Sequence, residues 1–278
     1  MTFYLQIGGN RVRIAEDEIC AAIPEIQIIN ALGQPSGQGG LFKIRYDNEG
    51  FFKALKIFFP SQDPKRIIAE FTAHQRIDDP AFVKMYECAT ILLQGHSCMY
   101  IVMEYIDGNS LQDRCFQNNQ FSDEETLAFL KKLGHALDLI WTNHRIVHRD
   151  IKPANIMYKS SDDRYMLIDL AYARHLLLPS MTMPGMYPGT TGYRSPEQEA
   201  GQRMLTVKSD IFSLGVTAYQ LRSNFHPGKF FPTYRWIHSV SPLTAIVPTI
   251  NQHLSDIIMR MIDRIPVRRP SPRELMNL

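Results

Sequence analysis

Val147-His148-Arg149-Asp150-Ile151-Lys152-Pro153-Ala154-Asn155-Ile156 is the stretch on which the reading of this chain turns. A carboxylate, a Lys two residues on and an Asn five residues on suit a loop that handles phosphate and metal. Asp150 can accept the proton of an attacking hydroxyl. Lys152 can neutralise charge on a phosphoryl group in transfer. Asn155 offers a neutral oxygen to a hard divalent ion such as Mg2+. The plainer reading of such a run is a solvated charged turn between a helix and a strand.

Working outward, other polar residues stand in a fixed order. Downstream come Leu167-Ile168-Asp169-Leu170-Ala171, then Gly189-Thr190-Thr191-Gly192-Tyr193-Arg194-Ser195-Pro196-Glu197. Asp210-Ile211-Phe212-Ser213-Leu214-Gly215 opens a segment apolar nearly all round, which predicts a buried central helix. Arg269-Pro270 lies near the end. Upstream, Ala54-Leu55-Lys56 falls in a strand pattern, with Lys53 on the opposite strand face. Asp63-Pro64 reads as an N-cap with Pro at the first helical position. The helix it opens carries Ile67, Ile68, Phe71 and His74 on one stripe, with Glu70 beside them facing inward. An inward Glu needs a cation, and Lys56 is the natural one. Gly37-Gln38-Gly39-Gly40-Leu41-Phe42-Lys43-Ile44 precedes that strand, and Met103-Glu104-Tyr105-Ile106-Asp107-Gly108 follows two more.

In this order the motifs resemble the eukaryotic-type serine/threonine protein kinase family, whose catalytic loop reads His-Arg-Asp-x-x-x-x-Asn. The resemblance covers roughly residues 26–278 and outweighs the charged-turn reading. It implies ATP as phosphoryl donor, Mg2+ (or Mn2+) as metal, and protein substrates. Asp150, Lys152 and Asn155 would be the catalytic residues, and Asn155 and Asp169 would hold the metal. Lys56 would bind the α- and β-phosphates and pair with Glu70. Gly37, Gly39 and Gly40 would form the phosphate loop, in which Phe42 replaces the family's third glycine. The backbone of Glu104 and Ile106 would bind the adenine edge at a hinge. His148, Arg149, Thr190, Glu197, Asp210 and Arg269 would be structural, with Glu197 and Arg269 a buried ion pair. Lys152 and Thr190 favour Ser/Thr over Tyr as acceptor. In the activation segment, the family's usual phosphate acceptor position is Met186, with Ser180, Thr182 and Tyr187 the remaining hydroxyls. Basal activity independent of phosphorylation there is therefore expected.

The patterning gives an α+β, bilobal, protein-kinase-like fold. Residues 1–25 read as an N-terminal extension with a hairpin, Thr2–Ile7 and Arg11–Ile14 flanking Gly8-Gly9-Asn10. Residues 26–105 would be the strand-rich lobe, including strands AFVKMYE and MYIVMEYI, and 106–278 the larger helical lobe. Ser122-Asp123-Glu124-Glu125 is a capping box ahead of Leu127, Leu130, Leu133, Leu137 and Ile140 at helical spacing.

Composition excludes other classes. Apolar residues make up 45% and charged residues 21% of 278, which rules out disorder and fibres. With 30 Lys and Arg against 28 Asp and Glu, the net charge of +2 gives no reason to expect nucleic acid. The four cysteines form no Cys-x-x-Cys pair, so a zinc or disulfide framework is not expected. No apolar run approaches membrane-spanning length and no signal-peptide layout opens the chain, so no membrane insertion and a cytoplasmic location are expected, with a secreted effector as the alternative. Phe42 and Ala171 raise a second reading, a pseudokinase or nucleotide-gated scaffold. A small-molecule phosphotransferase is the third; it shares the catalytic Asp and Asn but lacks the Gly189–Glu197 segment.

Overall fold

Apolar alternation through the first hundred positions produces strands, and apolar periodicity beyond them produces helices. The computed structural model describes residues 2–7, 10–33, 38–170, 174–175, 189–202 and 204–278. The chain divides into two units, residues 1–78 with 83–107 and residues 79–82 with 108–278. Gly37, Ala171, Ser180, Thr182, Met186 and Tyr187 lie outside the described residues.

The first unit holds strands β1 (Thr2–Ile7) and β2 (Asn10–Ala15), helix α1 (Glu16–Ala22), strands β3 (Ile26–Ala31), β4 (Gly39–Tyr46) and β5 (Lys53–Phe58), helix α2 (Pro64–Gln75), and strands β6 (Met85–Leu93) and β7 (His96–Glu104). β3 to β7 form an antiparallel sheet in the order β3-β4-β5-β7-β6. β1 and β2 pair as the expected hairpin, Thr2 opposite Ala15 and Ile7 opposite Asn10. This hairpin is no appendage. Phe3, Leu5, Ile14, Ile19 and Ile23 are buried in one core with Phe42, Ile44, Leu55 and Ile57. Phe42 and Ile44 stand two apart on β4, as do Leu55 and Ile57 on β5, so one sheet face is apolar and the hairpin with α1 covers it. Each such side chain contributes about 1.5–3 kcal/mol when fully buried.

Helix α2 starts as its sequence requires. Asp63 accepts the Lys65 N–H at the N-cap, and Pro64 fills the first turn. Its inward stripe is Ile67, Glu70 and His74. Ile68, expected on that stripe, is 50% exposed, because one helical step of about 100° turns it away from Ile67.

The second unit holds β8 (Asn109–Ser110), α3 (Leu111–Phe116), α4 (Asp123–His144), β9 (Ile146–Val147), β10 (Ile156–Lys159), β11 (Arg164–Leu167), β12 (Arg174–His175), α5 (Pro196–Glu199), α6 (Val207–Ser223), α7 (Leu243–Ile246), α8 (Gln252–Met261) and α9 (Pro272–Met276). The capping box at α4 forms as expected, Ser122 accepting the Glu125 N–H and Glu125 the Ser122 N–H. α6 is buried along nearly its whole length and is the central helix, with α4 and α8 packed on it. Ala81 and Phe82 were expected to open a strand of the sheet. They instead pair with β11 of the helical unit, where the Leu167 N–H donates to the Ala81 carbonyl at 2.8 Å. The sheet strand begins only at Met85. Among the described residues no helix is long and apolar enough to cross a membrane.

Candidate active site

The loop quoted at the outset runs from β9 through a 3-10 turn at Pro153–Asn155 into β10. Lys152 Nζ donates to Asp150 Oδ2 at 2.9 Å and to Thr190 Oγ1 at 2.6 Å. Thr190 Oγ1 in turn donates to Asp150 Oδ1 at 2.7 Å, closing a ring of three side chains. Asn155 Nδ2 donates both to Asp150 Oδ2 and to the Asp150 carbonyl, each at 2.9 Å. Asp150 is buried, so these charge-assisted bonds fix its orientation. They use three of roughly four acceptor sites on a carboxylate, leaving one on Oδ1 beside Thr190.

The loop is held from below. Asp210, at the start of α6, accepts the backbone N–H of His148 and of Arg149, each at 2.8 Å. Those bonds hold Arg149 at a φ of 70°, in the left-handed region. Burial raises the Asp210 pKa to about 7, against the lowering effect of the two N–H donors and the Arg149 charge. Burial also lowers the pKa of His148, whose Nδ1 accepts the Asp150 N–H at 3.3 Å. The charges of Asp150 and Asp169 act on His148 in the opposite direction. Asp169 follows β11, and the Ile168 N–H donates to the Asn155 carbonyl at 3.2 Å. Both amide hydrogens of Asn155 are engaged with Asp150, so its amide oxygen is the atom that remains to meet a cation. A neutral amide oxygen together with the Asp169 carboxylate is a hard, all-oxygen donor set that fits a divalent metal of the Mg2+ type.

Glu197 and Arg269 form the expected buried pair, bidentate at 2.7 and 2.9 Å. Burial alone would raise the Glu197 pKa; the hydrogen bonds and charge of Arg269 outweigh it, and the pKa is lowered. Gln198 was not singled out by sequence. Its Nε2 donates to the Arg149 carbonyl at 2.7 Å and ties α5 to the loop. No local pattern marks it apart from its position next to Glu197.

In the strand-rich unit, Lys56 Nζ donates to Gln38 Oε1 at 3.1 Å and lies 4.6 Å from the Phe58 ring centre. Glu70 is buried on α2, yet among the described residues no ion pair joins it to Lys56. The bond that Lys56 does make is to Gln38, the residue immediately before β4. Lys53 has separate partners on the other strand face: Glu49 at 2.7 Å and the rings of Tyr46 and Tyr86. The Glu104 N–H donates to the Lys84 carbonyl at 2.8 Å, so an adenine contact from Glu104 must use its carbonyl. Ile106 is buried. Gly39 and Gly40 are strand residues of β4, and packing accounts for both. A Cβ at Gly39 would stand 1.9 Å from the Ile57 carbonyl oxygen, and one at Gly40 2.3 Å from the Phe3 ring.

A family profile described as the protein kinase domain matches residues 27–278. A serine/threonine-protein kinase PknA of Corynebacterium glutamicum is 32% identical over 186 residues, 65% of this chain and 39% of that protein. A probable serine/threonine-protein kinase of Streptomyces coelicolor is 32% identical over 203 residues, 68% of this chain and 29% of that protein. The chain thus spans well under half the length of these curated relatives. The crystal structure of the Mycobacterium tuberculosis PknI kinase domain shares the fold, with a TM-score of 0.68 at 23% identity, over 91% of this chain and 94% of that one. With the profile spanning both units and the Asp150–Lys152–Asn155 loop built as described, the chain belongs to the protein kinase family.

Proposed function

We propose that this chain is a serine/threonine protein kinase that transfers the γ-phosphoryl group of ATP to Ser or Thr hydroxyls of protein substrates. The ring of Asp150, Lys152 and Thr190 is the observation that carries this reading. The acceptor site left on Asp150 Oδ1 receives the substrate hydroxyl proton as the hydroxyl oxygen bonds to the γ-phosphorus. The bond from that phosphorus to the β–γ bridging oxygen breaks, and ADP leaves. Lys152 holds Asp150 in place and carries positive charge toward the transferred group, where it stabilises the developing negative charge. Asn155 and Asp169 would hold the metal, Mg2+ with Mn2+ as substitute, which when bound neutralises charge on the β- and γ-phosphates. Lys56 and the β4 turn would bind the phosphates, with Gln38 giving up Lys56 when ATP enters. Membership in the family implies ATP and divalent-metal use, and the cytoplasm is the proposed location. The intact polar set favours an active enzyme over a pseudokinase despite Phe42, which serves the core of its own unit.

The test is transfer from γ-labelled ATP to a generic protein acceptor, comparing the wild type with Asp150→Asn. Loss of a general base lowers kcat by about 10²–10⁴-fold while ATP affinity is kept. Mass spectrometry of the product should find phosphoserine or phosphothreonine. Equal turnover by the two proteins, or dominant phosphotyrosine, refutes the reading.

A further inference from the structure

Between Asn224 and Trp236 the helical unit gathers several exposed aromatic rings. Phe225, Phe230, Phe231 and Tyr234 are 64%, 54%, 52% and 65% exposed. Single exposed rings are ordinary, whereas several on one short segment make an apolar patch of the kind that marks a contact surface. The backbone that presents them is firmly built. Asn224, Lys229 and Phe230 lie at φ of 59°, 48° and 63°, a conformation strained for a residue as bulky as Phe. His226 holds it there: its Nδ1 accepts the N–H groups of Gly228 and Phe230 at 3.1 and 3.0 Å. Burial lowers the His226 pKa to about 4, so the imidazole stays neutral and Nδ1 stays an acceptor. Trp236 Nε1 donates to the Phe231 carbonyl at 3.0 Å, and the Glu199 carboxylate accepts the N–H groups of Thr233 and Tyr234.

The patch is continuous with the segment that leads to Asp150. Phe230 stacks on His226 at 4.3 Å, and the His226 and Phe230 rings lie 5.0 and 6.3 Å from that of Tyr193. A Cβ at Gly192 would reach within 3.0 Å of the Phe230 Cα. Gly192 and Tyr193 follow directly on Thr190 and Thr191, and the Thr190 hydroxyl is bonded to Asp150. A polypeptide that delivers its hydroxyl to Asp150 therefore has the Tyr193, His226 and Phe230 rings beside its path. The rim is basic: Lys229 is exposed, and the Arg235 guanidinium lies 5.7 and 5.8 Å from the rings of Phe231 and Tyr234.

We propose that Phe225, Phe230, Phe231 and Tyr234 form a docking surface for the protein substrate, receiving apolar side chains flanked by acidic residues. The proposal rests on the kinase reading above. Its test uses the full chain, ATP and a library of 15-residue peptides with a central Ser or Thr and randomised flanks. Seven extended residues reach about 23 Å beyond the acceptor. Wild type is compared with the triple variant Phe230→Asn, Phe231→Ser, Tyr234→Ser; Asn tolerates the positive φ at position 230. Wild-type products should be enriched in aromatic or aliphatic residues with acidic neighbours on one side of the acceptor. The variant should lose that enrichment, with KM for a favoured peptide raised about tenfold and kcat kept. Tyr234→Ser alone, which leaves the backbone bonds of the segment in place, should raise KM in the same sense and serves if the triple variant does not fold. Unchanged enrichment and KM overturn the proposal. So does conversion of a dimer to a monomer with unchanged peptide preference, which assigns the patch to a second copy of the chain. If the wild type phosphorylates no library peptide beyond the level of Asp150→Asn, the kinase reading itself fails, and the docking surface with it.

Discussion

Replacing Arg269 with Met perturbs the helical unit where its polar bonding is densest. The Arg269 side chain is 0% exposed and that of Glu197 7%. Besides its two bonds to Glu197, Arg269 donates to the carbonyls of Asp263 at 2.8 Å, Lys208 at 2.8 Å and Arg264 at 3.3 Å, and its guanidinium sits 4.9 Å from the Phe212 ring. Met fills the stem of this space without supplying charge or donors. Three carbonyls lose partners, and Glu197 becomes a buried carboxylate left with Ser209 Oγ and a backbone N–H but no cation. Breaking a buried pair in this way costs about 3–5 kcal/mol, against a total stability of roughly 5–15 kcal/mol for a typical domain. The pH dependence carries a sign. With Arg269 present, the Glu197 pKa is depressed below 4.5. A depressed folded pKa gives stability that is present above the unfolded value and lost as pH falls through the folded one. In Arg269→Met burial is opposed only by the weaker bonds from Ser209 and the Glu197 backbone, so the folded pKa of Glu197 lies above its wild-type folded value and the variant has less of this stability to lose in acid. The stability gap between wild type and variant should therefore narrow as pH falls from about 7 toward about 4.5. Urea denaturation across that window measures it, with tryptophan fluorescence as the signal. At neutral pH the double variant Glu197→Gln, Arg269→Met should be more stable than Arg269→Met alone. A gap that stays constant or widens in acid refutes the reasoning.

Thr190→Val removes the hydroxyl shared by Asp150 and Lys152 and should lower kcat about 10- to 100-fold, the worth of a hydrogen bond to a charged group; steady-state kinetics should also show that Thr190→Ser restores most of it, and a Val variant with wild-type kcat counts against the role. Asp210→Ala orphans the N–H groups of His148 and Arg149 at about 1–3 kcal/mol each. Hydrogen exchange at those two amides should accelerate, and unchanged protection would mean that other groups hold the loop. Gly40→Ala should destabilise the strand-rich unit by about 1–3 kcal/mol, because its Cβ meets the Phe3 ring. Combining it with Phe3→Leu should cost less than the two changes summed, and strict additivity in thermal denaturation would show that the clash is relieved elsewhere.

What the sequence disclosed was chiefly what neighbouring residues determine among themselves. Asp63-Pro64 and Ser122 to Glu125 cap their helices through bonds spanning a few residues, so both starts were legible. The loop from His148 to Asn155 was legible for the same reason, since Asn155 reaches Asp150 within one turn of chain. Ala81 and Phe82 were misplaced because strand character says nothing of which strand is the partner. Gly40 read as a phosphate-loop glycine, yet the ring that forbids it a side chain belongs to Phe3, far earlier in the chain. Glu70 did turn inward, as its place on the helix required, while the choice of Gln38 by Lys56 depended on how β4 and β5 align. Thr190 stands 40 positions from Asp150, and only the resemblance to a known family brought the two together before the coordinates did.

The hairpin at the start of the chain bears on where this protein can be cut. The kinase profile begins at residue 27, whereas the strand-rich unit already includes β1, β2 and α1. A version trimmed to the homology boundary would strip Phe3, Leu5, Ile14 and Ile19 from the sheet and leave Phe42, Ile44 and Ile57 facing water. Freshly bared apolar surface of that kind favours inclusion bodies over soluble product. Expression trials should therefore add fusion partners ahead of Thr2 and leave the hairpin intact, and a poor yield from a trimmed version would report on the amputation and not on the catalytic domain.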